Sequence, residues 1–127
     1  MNRIEALADS FAALNDWHDP ESEAYGLRNP GLLRAFTLKH ASNEQSHRIF
    51  PSAIDGYQAL LFDLRTKCSG KSRSKLLTSS TLEDLLSRGY SQPRSAVDFV
   101  LCFLARALPK NTITERTPLA FFLEDIQ

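Results

Sequence analysis

The sequence lacks any apolar run near the ~20 residues that a membrane span needs. It also lacks a charge excess, since 15 basic and 15 acidic side chains cancel. A neutral chain has no global field to recruit nucleic acid or an anionic membrane, so neither is expected as a partner. Cysteine is scarce: Cys68 and Cys102 are the two present. Two are too few for a disulfide scaffold, and both are expected as free core thiols on apolar helix faces. The N-terminal stretch MNRIEALADSF carries Glu5 and Asp9 where a secretory signal needs its apolar segment, so the cytoplasm is the expected place of synthesis. There is no internal repeat or low-complexity tail. What the chain does have is ordinary: 127 residues, 43% hydrophobic and 24% charged. That suits a single domain, 1–127, around one core.

Hydrophobic periodicity gives mainly helices. Ile4, Leu7, Ala8, Phe11 and Leu14 share one face of a helix over 3–14. Residues 15–31 read as an acidic loop that ends in Asn29-Pro30-Gly31, a strong turn signal in which Gly31 permits positive φ and Pro30 fixes φ near −65°. Segments 32–38 and 47–50 could pair as a small hairpin. Ser52 with Asp55 caps a helix bearing Ile54, Tyr57, Leu60, Leu61, Leu64 and Cys68, and SGKSRS ends it. Ser80 with Glu83 opens a short helix that stops near Gly89. Ser95 with Asp98 opens AVDFVLCFLARAL, apolar nearly all round and therefore expected at the centre of the domain. Thr117-Pro118 starts a last helix bearing Leu119, Phe122, Leu123 and Ile126. The expected class is mainly α, or α+β with a minor β element: about five helices around a buried central helix, with at most a small hairpin.

Few motifs carry chemistry. SGKS at 69–72 lacks the first glycine of a phosphate-binding loop, since Arg65 stands there, and a helix rather than a strand precedes it. His40, Glu44 and His47 lack the spacing of a metal-binding helix, so no metal and no cofactor is expected. Arg65, Lys67, Lys71, Arg73 and Lys75 form a basic cluster, read as a solvated loop or as a secondary patch that contacts an anionic polymer or an acidic protein. Asp16, Asp19, Glu21 and Glu23 cluster between Trp17 and Tyr25. That composition reads as a solubilising loop or as the rim of a glycan cleft.

In order and spacing, LRNPGLLRAF, RIFPSAIDGYQALLFDL, TLEDLLSRGYSQP and AVDFVLCFLARAL together resemble a family of small lysozyme-like proteins of phage virions and bacterial genomes, whose turn motif is of Asn-Pro-Gly-Asn-Leu-Arg type. The resemblance covers about residues 4–123. It implies a lysozyme-like α+β fold with a glycan cleft between the first helix and the small β element. Active relatives carry a glutamate near the end of the first helix as general acid. Here that place reads Asn15-Asp16, and an amide cannot protonate a leaving oxygen. The turn departs too: Arg28 precedes Asn29, and Leu32 stands where the family has a later asparagine. The resemblance therefore implies a catalytically degenerate domain that binds peptidoglycan glycan or a host or phage protein, as a virion component or an inhibitor of a host system. The implied binding residues are Trp17, Tyr25, Arg28, Asn29 and Arg34. The alternatives are an active muramidase or lytic transglycosylase using Asp16, Glu21 or Glu23, and an intracellular protein-interaction module. Oligomeric state is left open.

Overall fold

A computed structural model describes residues 2–34 and 47–124. The chain runs through α1 (Arg3–Leu14), α2 (Glu23–Leu27), α3 (Ala53–Cys68), α4 (Leu82–Asp84), a π-helical segment (Leu85–Gly89), α5 (Arg94–Ala107) and a 3₁₀ helix (Leu119–Leu123). The mainly helical class read from periodicity is the one observed. Among the described residues there is no strand, and the isolated bridges are antiparallel: Arg34 with His47 and Thr81 with Pro118. The first lies where the hairpin was expected; 35–46, with His40 and Glu44, falls outside the described residues. So does Ile126 of the expected last helix.

α1 begins with a reciprocal cap. The Asn2 side chain accepts from Glu5 N at 2.9 Å, and Asn2 N donates to Glu5 Oε1 at 3.2 Å, which satisfies two orphan donors of the first turn. The helix then buries Ile4, Ala6, Leu7, Ala8, Ser10, Phe11 and Ala12. Four of these are small, so neighbouring elements approach closely; α3, α5 and the 3₁₀ helix all pack on it. The Ser10 hydroxyl is kept bonded by donating to Leu7 O at 2.6 Å. Arg3 ties the far end of the chain to α1, donating to Phe121 O at 3.1 Å with its guanidinium 3.9 Å from the Phe121 ring centroid.

The expected central helix is corrected here. α5 buries Ala96, Val97, Val100 and Leu104, while Phe99 is 42% exposed and Cys102 is exposed. It is a one-sided helix, and α1 holds the middle. Cys102 is thus no core thiol. Cys68 is one: burial pushes its thiol up to about 12.

Three helix starts also differ. The capping box lies at Thr81 and Asp84 rather than at Ser80 and Glu83. α5 starts after Pro93 with no side-chain cap, and Asp98 pairs instead with Arg94 at 3.3 Å. The last element is 3₁₀, and the Thr117 hydroxyl accepts from Thr114 N at 2.9 Å rather than capping it. Ser52 does cap α3, accepting from Asp55 N at 3.1 Å. One hydrophobic cluster takes residues from α1, α3, α4, the π segment, α5 and the 3₁₀ helix.

Candidate functional site: an aromatic cleft beside the turn

Two helix ends build the site, and both close in the same way. At the end of α1, Asp16 N donates to Ala13 O and Trp17 N to Ala12 O, each at 3.1 Å, with Asp16 left-handed at φ 55. This is a Schellman closure. At the end of α2, Arg28 N donates to Tyr25 O at 3.1 Å and Asn29 N to Ala24 O at 2.9 Å, with Arg28 at φ 53. α2 itself was not foreseen. It lies within the segment read as an acidic loop, and its cap is the Ser22 hydroxyl, which accepts from Tyr25 N at 3.1 Å.

The Asn29-Pro30-Gly31 turn is a fastening, not a ligand loop. Asn29 is fully buried, which removes it from the expected binding residues. Its Oδ1 accepts from Leu33 N at 2.9 Å, and its Nδ2 donates to Leu33 O and Arg48 O, each at 2.9 Å. One side chain thus ties the segment after the turn to the segment around Arg48. Asn15, where the resemblance expects the acid, donates from Nδ2 to Pro30 O at 3.0 Å. From α3, Gly56 packs under the turn so closely that a Cβ there would sit 1.9 Å from Arg28 O. Gly31 is not the positive-φ residue of the turn; Leu32, at φ 48, is. A Cβ at Gly31 would meet Leu60 Cδ1 at 2.6 Å, so the buried Leu60 side chain would have to shift to admit it.

These fastenings leave an open cleft of about 540 Å³ lined by Trp17, His18, Tyr25, Gly26, Arg28 and Ala53. Trp17 Nε1 donates to His18 Nε2 at 2.9 Å. An indole nitrogen only donates, so His18 Nε2 carries no proton in this arrangement. The Trp17 ring lies tilted against Tyr57, with centroids 6.3 Å apart. Tyr57 is held in turn by donating to Asp9 Oδ1 at 2.6 Å. Burial, and then the Asp9 carboxylate, push the Tyr57 hydroxyl well above its ordinary value. Tyr25 is 50% exposed. Arg28 Nε donates to Phe50 O at 2.5 Å, which fixes the root of its guanidinium.

Of the expected residues, the structure brings Trp17, Tyr25 and Arg28 together in the cleft. His18, Gly26 and Ala53 join them unforeseen. Asp16, Glu21 and Glu23 do not line it. Asp16 is the exposed corner of the Schellman closure. Glu21 is exposed and its N–H donates to Asp19 Oδ1 at 3.0 Å. Glu23 lies 2.8 Å from His47 Nδ1. Arg34 pairs with His47 through its backbone, is exposed, and also lies outside the lining. The basic cluster loses Lys67, which donates to Asp63 Oδ2 at 2.5 Å and sits 4.4 Å from the Tyr90 ring centroid. Arg65, Lys71, Arg73 and Lys75 remain exposed. Among the described residues no group of three His, Cys, Asp or Glu side chains could hold a metal ion.

Comparison of the chain with protein-family models, with curated proteins and with solved structures finds no match.

Proposed function

We propose that this chain is a non-catalytic, lysozyme-like domain of phage or prophage type that binds peptidoglycan glycan in the aromatic cleft. The observation that supports this is the lining: two aromatic side chains, Trp17 and Tyr25, with Arg28 and no carboxylate among the lining residues. Rigid aromatic faces suit the apolar face of a sugar ring, and a guanidinium suits a carboxylate or hydroxyl beside it. Glycoside cleavage needs a carboxylic acid at the bond and a second carboxylate nearby. The nearest substitute for the acid, Asn15, is an amide locked onto a backbone carbonyl.

Trp17 is the chain's one tryptophan, so its fluorescence reports cleft occupancy directly. Soluble peptidoglycan fragments should change that emission saturably. Purified cell walls should retain the chain on sedimentation while their turbidity stays constant. Trp17→Ala should lose retention with its melting temperature kept. Clearing of the walls, abolished by replacing Asp16, Glu21 or Glu23 with the amide, would restore the muramidase reading. A second reading, a protein partner in the same cleft, is favoured by one feature: Ile49 and Ile54 are 68% and 73% exposed, close in sequence to Ala53. Wall retention absent in the parent, with a host or phage protein captured and then lost in Ile54→Asp, would select that reading.

A further inference from the structure

α5 is apolar over more of its circumference than the other described residues cover. Its inward face is Ala96, Val97, Val100 and Leu104. On the outward side Phe99, Cys102, Phe103, Arg106 and Ala107 line a second shallow groove of about 410 Å³. Phe99, Cys102, Phe103 and Arg106 follow i, i+3, i+4, i+7 spacing, which is the pattern of a helix seam rather than of a solvated face. A helix facing only water has no use for two phenylalanines there.

The charges flanking this seam are opposite and symmetric about its middle. Asp98 lies one turn before Cys102, and Arg106 lies one turn after it. Asp98 is 62% exposed and is touched by Arg94 at 3.3 Å through one oxygen. Among the described residues no carboxylate pairs with Arg106. If a second α5 lies antiparallel across the seam, with a two-fold axis at Cys102, each Asp98 comes to the level of the other copy's Arg106. The four phenylalanine rings then gather between the two ion pairs. A seam that is its own complement under a two-fold is what an isologous interface requires. We propose that the outward face of α5 is a self-association surface, and that its occupant is a second copy of this chain packed antiparallel at Cys102.

One helix face is small by interface standards, so the dimer is weak and concentration-dependent. Sedimentation velocity tests it on the intact chain. The parent, 14.3 kDa as a monomer, should move toward twice that mass between about 1 and about 500 µM. Arg106→Glu sets like charges together twice and should weaken the dimer about tenfold or more. Asp98→Lys combined with Arg106→Glu rebuilds both pairs in reverse and should return the affinity to within about threefold. Both positions are exposed, and circular dichroism checks that each variant stays helical. A short bis-maleimide should link two copies through Cys102 in the parent and none in Cys102→Ser. A parent that stays monomeric throughout, a dimer that Arg106→Glu leaves unchanged, or a double variant that fails to recover would each overturn the proposal.

Discussion

Replacing Asn29 by aspartate tests the fastening of the turn with almost no change in shape. In the parent the amide makes three bonds of 2.9 Å, one as acceptor from Leu33 N and two as donor, to Leu33 O and Arg48 O. Asn29→Asp keeps the acceptor but aims its second oxygen at two carbonyls in a fully buried position. Ionised, the new carboxylate is desolvated and faces like partial charges; protonated, it still donates once. The folded state therefore holds this carboxyl above its unfolded value of about 3.9. The sign follows from proton counts. Between the unfolded and the raised folded value, the native chain keeps a proton that the unfolded chain has lost, so stability falls as pH rises. Below about pH 3.5 the variant should trail the parent by the one lost donor bond, about 1 kcal/mol. The deficit should then grow by up to about 1.4 kcal/mol per pH unit until the folded carboxyl ionises. Asn29→Ala, which strands Leu33 N and deprives Arg48 O, should cost roughly 2–4 kcal/mol with no such slope. Guanidinium unfolding of parent and both variants at about pH 3.5, 5 and 7, with the parent subtracted at each pH, measures this. A flat difference for Asn29→Asp, or an Asn29→Ala as stable as the parent, would show that the turn is held by something other than the amide.

The other expectations are simpler. Gly56→Ala should cost about 3 kcal/mol or more in the same unfolding assay, because its Cβ would lie 1.9 Å from a backbone oxygen that cannot swing aside; a shift within error would mean that α3 does not pack against Arg28. Leu104→Ala and Leu7→Ala, at fully buried sites, should each cost about 2–5 kcal/mol. Phe62→Ala removes a larger side chain, but one that is 72% exposed, and should melt close to the parent; the reverse order would mean that Phe62, rather than Leu7 or Leu104, is the buried side chain. In a Cys102→Ser chain, Cys68 should stay silent to a thiol reagent at about pH 8 and react once guanidinium unfolds the chain, since its buried thiol is pushed up to about 12; a reaction within seconds in the native chain would contradict that burial.

The sequence made some of the helices legible and misled about which one lies in the middle. α1 and α3 declare themselves because twelve and sixteen residues are long enough to show a 3.6-residue period. α2 has five residues, too few to show a period, and its cap at Ser22 is buried in a run of acidic side chains. α5 looked central because almost every position is apolar. Composition alone does not say how many faces are covered. α1 is less hydrophobic to the eye, yet Ala6, Ala8, Ser10 and Ala12 let three elements close around it. The cap before α4 was off by one for a different reason. Ser80-Thr81 and Glu83-Asp84 both offer the same spacing, and the choice is made by a distant contact, the bridge from Thr81 to Pro118.

The cleft was half legible for a related reason. Trp17, Tyr25 and Arg28 could be picked out as an aromatic and basic set near a turn. Ala53 arrives from the far side of the chain, placed there by the close packing of Gly56 under Arg28, and nothing local announces it. The positive-φ residues were equally silent. Three helices end in the same Schellman pattern, at Asp16, Arg28 and Gly70, and only the last carries the glycine that makes such an end readable. A left-handed arginine costs about 1 kcal/mol more than a glycine would in its place. At Gly70 the chain avoids that cost; at Arg28 it bears it. The difference between the two sites is what lies beside them. Gly70 sits on an exposed loop, whereas Arg28 spends its Nε on Phe50 O and lines the cleft with Trp17 and Tyr25. Left-handed φ alone does not mark the cleft, since Asp16, Lys75 and Ser91 bear it outside the lining; what sets Arg28 apart is the side chain that its corner delivers to Phe50 O and to the cleft.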